Sequence, residues 1–440
     1  MANTNLQLAL FNSITEPETY HDTSMYGYIA LLVDKNGTKK QTCHKLTDMH
    51  TVLSAVDPNQ DTWVSQAEFY KPNRRVVNLA RLSLLFADLD TYKVQWAGGR
   101  SPEKITEFVL FHCNEEGIPP PSILIFSGRG FQAKWLLSKP LPSQALPRWN
   151  ACQTYLVKLL SHIGADPFAK DASRVLRVVN TVNSKSGEIC RVMHVTNGSD
   201  GQPVRYDFED LSEALLPVSR CELEKQRHKS SGSCQLISEG NPSNLRKLSG
   251  RQLAWDRLND LRQLVKMRNG VAVGERMQHL FWNLNFLLLS GATNSALMYH
   301  EARALAKEID STWNYNSKEL MTLYSKAKKF EANEKVEFCG RKYSALYTPK
   351  NDTLINLFQI TDNEQRLLKT IISNDIAKER DRERQESRRR AAGAIDRETY
   401  EANSISKQKP WLLCGMSRST WYRLDKPEPN LNMRQVRPYY

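Results

Sequence analysis

Apolar positions change their spacing along this chain. Between residues 24 and 220, strand-like and helix-like runs alternate. Tyr26 to Val33 has the make-up of a strand, and Lys35-Asn36-Gly37 after it fits a hairpin turn. Leu82 to Leu89 is apolar and ends in acids. Ser122 to Phe126 is a short buried-strand candidate that leads into Gly128 and Gly130. Trp149 to Ile163 repeats its apolar residues at helical spacing, and Arg174 to Val179 reads as a further strand. This mixture predicts an α+β domain over residues 1–220. Residues 221–250 turn rich in Ser, Lys, Gln and Gly and predict a linker. From Gln252 to Lys329 the period is helical, with Gly291 ending one helix and Asn294-Ser295 capping the next, so 251–345 is expected to be an all-α domain. Residues 346–440 hold a charged helix of mixed sign at 378–390, whose plain reading is a solvated face or spacer. No internal repeat is visible.

Composition narrows the partners. A hydrophobic share of 40% over 440 residues suits folded cores, in two or three domains. The formal net charge is +13, and a protein this basic usually meets a polyanion, most often nucleic acid. No stretch approaches the roughly 20 apolar residues of a membrane span, so no membrane partner is expected. Met1 to Glu16 lacks a basic start followed by an apolar core, so no signal peptide is expected. The eight cysteines are scattered, with no CxxC pair. That speaks against a disulfide scaffold or zinc knuckle and for a reducing cytoplasm.

Three segments carry candidate chemistry. In the first, an apolar strand ends in Asp88-Leu89-Asp90. Residues two apart on a strand share a face. Paired carboxylates repel unless a cation lies between them, which makes a DxD strand end a platform for Mg²⁺ or Mn²⁺. Many surface strands also end in acids. The second is Ser127-Gly128-Arg129-Gly130-Phe131-Gln132-Ala133-Lys134. Its glycines let backbone amides approach a phosphate, Arg129 and Lys134 add charge, and Gln132 is placed to orient a nucleotide. A plain glycine hairpin fits the same residues. The third runs from Gly164-Ala165-Asp166-Pro167 through Asp171 to Arg174, Arg177, Asn183 and Lys185. Its acid can complete a metal site, and its arginines can hold triphosphate oxygens. An ordinary Asp171–Arg174 salt bridge is the simpler reading.

Order and spacing make the set more specific than its parts. Over roughly residues 25–200 the chain resembles the archaeo-eukaryotic primase superfamily, the primase–polymerases, and within it the RepB-like primases of plasmids and mobile elements. Those proteins carry DxD or DxE, a loop of the type S-G-x-G-x-H, and a third acid upstream of R-x-x-R. The resemblance implies a primase-like α+β catalytic domain, with Asp88, Asp90 and Asp166 as catalytic and metal-binding carboxylates. Asp166 is preferred to Asp171 by its spacing to Arg174 and Arg177. Ser127, Gly128, Arg129, Gly130, Gln132, Arg174, Arg177, Asn183 and Lys185 become nucleotide-binding. Gln132 departs from the pattern, since many members have His there.

Gly274 to Phe281 and Leu323 to Phe330 are similar to the helical domain that often follows such cores, though a plain helical bundle fits as well. Near the end, Leu413-Cys414-Gly415-Met416-Ser417 followed by Arg418, Ser419 and Thr420 has the form of a helix-turn-helix capped by Ser417. The implied activity is DNA-directed primer synthesis. Its substrates are nucleoside triphosphates and a single-stranded DNA template, with double-stranded origin DNA and a replicative helicase as further partners. The alternative is a DNA-binding replication initiator or repressor with an inactive primase-like core. A relaxase would need a histidine cluster, and the nine histidines form no HxH pattern.

Overall fold

The computed structural model describes residues 16–35, 37–217, 242–338, 340–393 and 397–427. Asn36 of the expected hairpin turn and most of the expected linker lie outside these. The chain divides into two compact units, Met1–Ile371 and Ile372–Tyr440. No helix among the described residues is long and apolar enough to cross a membrane.

The first unit is built on a mixed sheet of ten strands. They are β1 (Tyr28–Lys35), β2 (Thr38–Lys45), β3 (Thr62–Ser65), β4 (Ala67–Phe69), β5 (Leu79–Leu89), β6 (Ile123–Phe126), β7 (Phe131–Pro142), β8 (Val175–Arg177), β9 (Arg191–Val195) and β10 (Arg205–Tyr206). The main path runs β8-β3-β1-β4-β5-β7-β6-β9, with β2 added to β1 and β10 to β7. Every pairing is antiparallel except β10 with β7. β5 is buried almost throughout, which is why its sequence is a near-continuous apolar run rather than an alternating one. Helices α1 (Met49–Ser54), α2 (Pro102–Glu115), α3 (Leu146–Leu159) and α4 (Phe208–Leu215) complete this part.

α3 does more than cover the sheet. β4 pairs with β5 only as far as Leu82, so the following stretch of β5 has no strand on that side. Trp149 and Gln153, one turn apart on α3, fill the gap. The Trp149 indole donates to the Leu84 carbonyl at 2.9 Å. The Gln153 side chain accepts from the Phe86 amide at 3.2 Å and donates to the Phe86 carbonyl. Buried backbone groups must be paired, and two side chains do here what a strand would otherwise do.

The helical part begins earlier than its hydrophobic pattern suggests. α5 spans Pro242–Met267, so residues 242–250, expected as linker, are helix. α6 (Arg276–Leu289), α7 (Ser295–Ile309), α8 (Met321–Glu331), the hairpin β11 (Lys335–Phe338) to β12 (Arg341–Ser344), α9 (Asn351–Phe358) and α10 (Asp362–Gln365) follow. Asn294 caps α7 by accepting from the Leu297 amide at 3.0 Å. The first compact unit runs on to Ile371, past the boundary expected at 346. Within it the buried carboxylate of Asp260 on α5 accepts the amides of Lys369, Thr370 and Ile371 at 2.8, 2.6 and 2.9 Å. Arg268 and Glu364 add a two-pronged ion pair at 2.6 and 2.9 Å. Glu301 of α7 ties the helices to the sheet part by accepting the amides of Val76 and Val77, each at 3.3 Å.

The second unit holds α11 (Asn374–Ala391), whose side chains are mostly exposed, then α12 (Arg397–Ala402), α13 (Ile405–Gln408), α14 (Pro410–Leu413) and α15 (Arg418–Arg423).

A buried ion pair lies within the sheet part. Lys134, fully buried on β7, donates to both Glu16 oxygens at 2.8 and 3.1 Å and to the Tyr20 hydroxyl at 3.1 Å. Removing one partner of such a pair strands the other charge. Glu16→Ala is therefore expected to destabilise the protein by about 3–5 kcal/mol in urea unfolding. Combining Glu16→Ala with Lys134→Met should recover most of that loss. A double variant no more stable than the single one would refute the pair's role.

Candidate active site

The gap beside β5 continues past Phe86, and there the third sequence segment fills it. The Asp166 amide donates to the Asp88 carbonyl at 2.8 Å, and the Asp90 amide donates to the Gly164 carbonyl at 2.8 Å. Between them Leu89 pairs with Ala165 as an antiparallel bridge. A stretch 76 positions downstream is thus laid along the end of β5, and Asp88, Asp90 and Asp166 come together. Asp90, Asp166 and Lys93 line a cleft of about 270 Å³ with Gly164, Ala165, Pro167 and Phe168.

On the other edge of β5, Asp88 stands directly opposite Gln132 of β7. Gln132 is buried, and its Oε1 has no hydrogen-bond donor. The glycine loop before it is a hairpin turn, closed by the Ser127 amide donating to the Gly130 carbonyl at 2.9 Å. Gly130 has no alternative: a Cβ there would lie 2.3 Å from the Leu89 carbonyl oxygen. Gly128 has φ +89°, and its missing side chain leaves room for Asn183, whose Nδ2 donates to the Ser127 carbonyl at 2.8 Å. Asn183 therefore positions the loop.

Burial and the neighbouring carboxylates raise the proton affinity of Asp88. Asp88 is pushed up to about 7, first by burial and then by the charge of Asp90, with Asp166 adding and Arg174 and Lys93 opposing. Asp90 lies one residue past β5, where a short 3₁₀ turn begins, and its Oδ2 accepts Lys93 Nζ at 2.5 Å. Asp166 Oδ1 accepts the Phe168 amide at 2.9 Å.

The donor set suits a hard divalent cation: three carboxylates and the unpartnered Gln132 carbonyl, all oxygen. A cation would offset the repulsion that raises Asp88. Among the described residues, no three His, Cys, Asp or Glu side chains already enclose an ion position. Lys93 holds one Asp90 oxygen and would have to yield it.

The other expected nucleotide ligands divide. Arg174 lies near Asp88, pairs with Asp171 at 3.0 Å and keeps a buried Nε with no acceptor. Arg177 is turned away. It is ion-paired with Asp61, donates to the Val182 carbonyl at 3.1 Å and stacks on the Trp63 ring at 4.8 Å. Arg177 is thus engaged by Asp61, whereas Arg174, expected with it at the triphosphate, keeps an unpartnered Nε. Lys134 is also corrected, since Glu16 neutralises it inside the protein. Arg129 lies 4.0 Å over the Tyr92 ring. Lys185 is exposed, and its backbone amide donates to Asn183 Oδ1 at 3.1 Å. Sequence reasoning missed Asp61, Gln153 and Lys93. Only Lys93, three residues after Asp90, gave a local signal.

In the second unit, Ser417 caps α15 by accepting the Thr420 amide at 3.1 Å. The Arg418 guanidinium lies 5.5 Å from the Trp411 ring and 6.0 Å from the Tyr422 ring, and Ser419 and Thr420 hydrogen-bond Ser417 Oγ at 3.0 and 2.8 Å. α14 has four residues and α15 six.

The raised Asp88 proton affinity sets a pH dependence. Its folded value lies above its unfolded one, so the penalty is absent below about pH 4 and complete above about pH 7. Asp88→Asn, unfolded in urea with chelator present, should match wild type near pH 4. At pH 8 it should be more stable, by on the order of 4 kcal/mol at most. A gain independent of pH would contradict the carboxylate cluster.

No family model matches the chain. Among solved structures it is similar to the primase–polymerase domain of cyanophage S-2L, of the archaeo-eukaryotic primase type, with 19% identity, 48% of this chain and 98% of that one covered, and a TM-score of 0.34. It is also similar to primase RepB′, at 13% identity, covering 68% of this chain and 93% of that one, with a TM-score of 0.28. The catalytic domain of RepB′ in complex with initiator DNA matches with 13% identity, 47% and 92% coverage and a TM-score of 0.27. Among curated proteins, the replication protein of Clostridium perfringens is 30% identical over 362 residues, covering 81% of this chain and 78% of that protein. At that identity and over that span of both chains, the protein belongs to the same family as the Clostridium perfringens replication protein.

Proposed function

We propose that the protein is a DNA primase that synthesises primers on single-stranded DNA for the replication of a plasmid, phage or integrative element. The observation that carries this reading is the laying of Gly164–Asp166 along the end of β5, which gathers three carboxylates beside a glycine hairpin. Membership of a replication-protein family and the net charge of +13 agree with it. Asp88, Asp90 and Asp166 would hold Mg²⁺ or Mn²⁺. When bound, the two ions lower the pKa of the attacking 3′-hydroxyl and offset charge on the leaving pyrophosphate.

The chain's own residues then have distinct tasks. Arg174 offers its unpartnered Nε to a phosphate oxygen. The Ser127–Gly130 turn offers Arg129 to the nucleotide, with Gln132 beside Asp88. Asn183 fixes that turn. Arg177 acts at one remove, holding Asp61, which also accepts the Ser184 amide at 3.2 Å and so steadies the loop that carries Lys185.

Primer synthesis is tested on circular single-stranded DNA with labelled nucleotides and either Mg²⁺ or Mn²⁺. Wild type should make short products. Asp90→Ala and Asp166→Asn should each lose at least about a hundredfold in rate, whereas Asp171→Asn keeps partial activity, because Asp171 serves Arg174. Equal losses at Asp166 and Asp171 would refute this assignment of the third acid.

The second unit suggests a separate role in binding double-stranded origin DNA, on the strength of the Ser417-capped helix with Arg418 in its first turn. Arg418→Ala should weaken duplex binding by about 1–3 kcal/mol if it reads a base. If it meets a phosphate, the loss should be uniform across sequences with a flatter salt dependence. Priming on a bare single strand should be unaffected. Unchanged duplex affinity with lost priming would assign this segment to the primase instead. Duplex binding by a wild type that makes no primers would favour an initiator or repressor with an inactive core.

A further inference from the structure

Phe168 is anomalous. It is 80% exposed, yet its backbone is held on both sides. Its amide donates to Asp166 Oδ1 at 2.9 Å, and its carbonyl accepts from Arg174. Its neighbour Ala169 is buried. The backbone of Phe168 is thus tied to Asp166 and Arg174, and its side chain stands exposed beside them. Tyr92, the other exposed aromatic close to this site, is covered by the Arg129 guanidinium. Phe168 has no ring or cation over it among the described residues.

Phe168 lines the cleft of about 270 Å³ whose other walls include Asp90, Asp166 and Lys93. Small-ligand sites usually run from about 300 to 1,000 Å³. This cleft thus has room for one planar ring rather than a whole nucleoside triphosphate. An aromatic face next to carboxylates, with a guanidinium anchored at its own carbonyl, suits a ligand that is flat and apolar at one end and anionic at the other. Every nucleobase has a π-face, and stacking on an aromatic side chain tolerates any base sequence.

We propose that Phe168 is the stacking platform for the nucleobase of the incoming nucleoside triphosphate, whose phosphates are held beside it at Arg174. This rests on the primase reading and names a nucleotide contact for it. Asp166 and Phe168 are then joined through one turn, in which the acid accepts the Phe168 amide. Because the contact is to the base face, it supplies affinity without choosing among the four bases.

The test uses the full chain with two substitutions, Phe168→Ala and Phe168→Trp. Unfolding midpoints should stay at the wild-type value, since the ring is exposed. The Phe168→Ala variant should bind deoxynucleoside triphosphate about ten- to a hundredfold more weakly, the range for loss of one base–aromatic stack. Its affinity for inorganic tripolyphosphate, which has no base, should not change. The Phe168→Trp variant should show an added indole emission that nucleotide quenches saturably and tripolyphosphate does not. Unchanged nucleotide affinity on Phe168→Ala would overturn the proposal. So would quenching by tripolyphosphate equal to that by nucleotide. Quenching by a single-stranded oligonucleotide but not by free nucleotide would overturn it too, making the ring a template contact. A wild type that binds nucleotide through Phe168 but makes no primers would sink the primase reading and leave this assignment standing. A wild type that primes, with Phe168→Ala binding nucleotide normally, would do the reverse.

Discussion

A buried strand edge cannot go unpaired, and the site follows from how this protein meets that demand along β5. Beyond Leu82 the strand has no β4 beside it. Its backbone groups at Leu84, Phe86, Asp88 and Asp90 face that gap in turn. They are met by Trp149, Gln153, the Asp166 amide and the Gly164 carbonyl. The first two come from a helix and the last two from a short extended loop. Because the loop must run antiparallel to the strand end to reach these groups, Asp166 arrives beside Asp88 and Asp90. Satisfying the backbone and assembling the carboxylates are one geometric event.

The electrostatics of the same region pull against stability. Three acids meet, and at Asp88, where burial already disfavours charge, the proton affinity rises to about 7. Nearby cations relieve this only in part, since Lys93 serves Asp90 and Arg174 is shared with Asp171. Elsewhere the sheet part neutralises its buried charge locally, as Lys134 does with Glu16. At the carboxylate site the compensation is left incomplete, and perturbed ionisable groups of this kind cluster at functional sites.

The helical layer belongs to the same unit through a few carboxylates that accept backbone amides. Glu301 reaches Val76 and Val77, and Asp260 takes three successive amides at 369–371. Glu301 anchors a short 3₁₀ turn and Asp260 a loop, so connecting segments far apart in sequence are fixed to rigid helices. Burial pushes Glu301 up in proton affinity even with two donors, a sign of how little solvent reaches that junction. The second unit has its own small cluster, where Trp411 and Trp421 lie 6.1 Å apart and Arg418 covers Trp411.

The chain's periodicity determined the mixed sheet followed by helices, because alternation and the 3.6-residue period report directly on which face is buried. The DxD strand end and the glycine hairpin were legible for the same local reason: each is a short run whose residue types limit what its backbone can do. Helix α5 was hidden from 242 to 250 because its first turns are polar, and the anchoring of 369–371 was hidden because Asp260 acts over more than a hundred residues. Sequence could not divide Arg174 from Arg177, since that depends on Asp61 lying across the β8–β3 pairing. Nor could it foresee Lys134 sealed by Glu16, or Phe168 left in solvent beside the carboxylates. Spacing along a chain fixes which residues can share a strand or a helix face. Which charges neutralise one another, and which remain for a ligand, was decided only when distant segments came to share one strand edge.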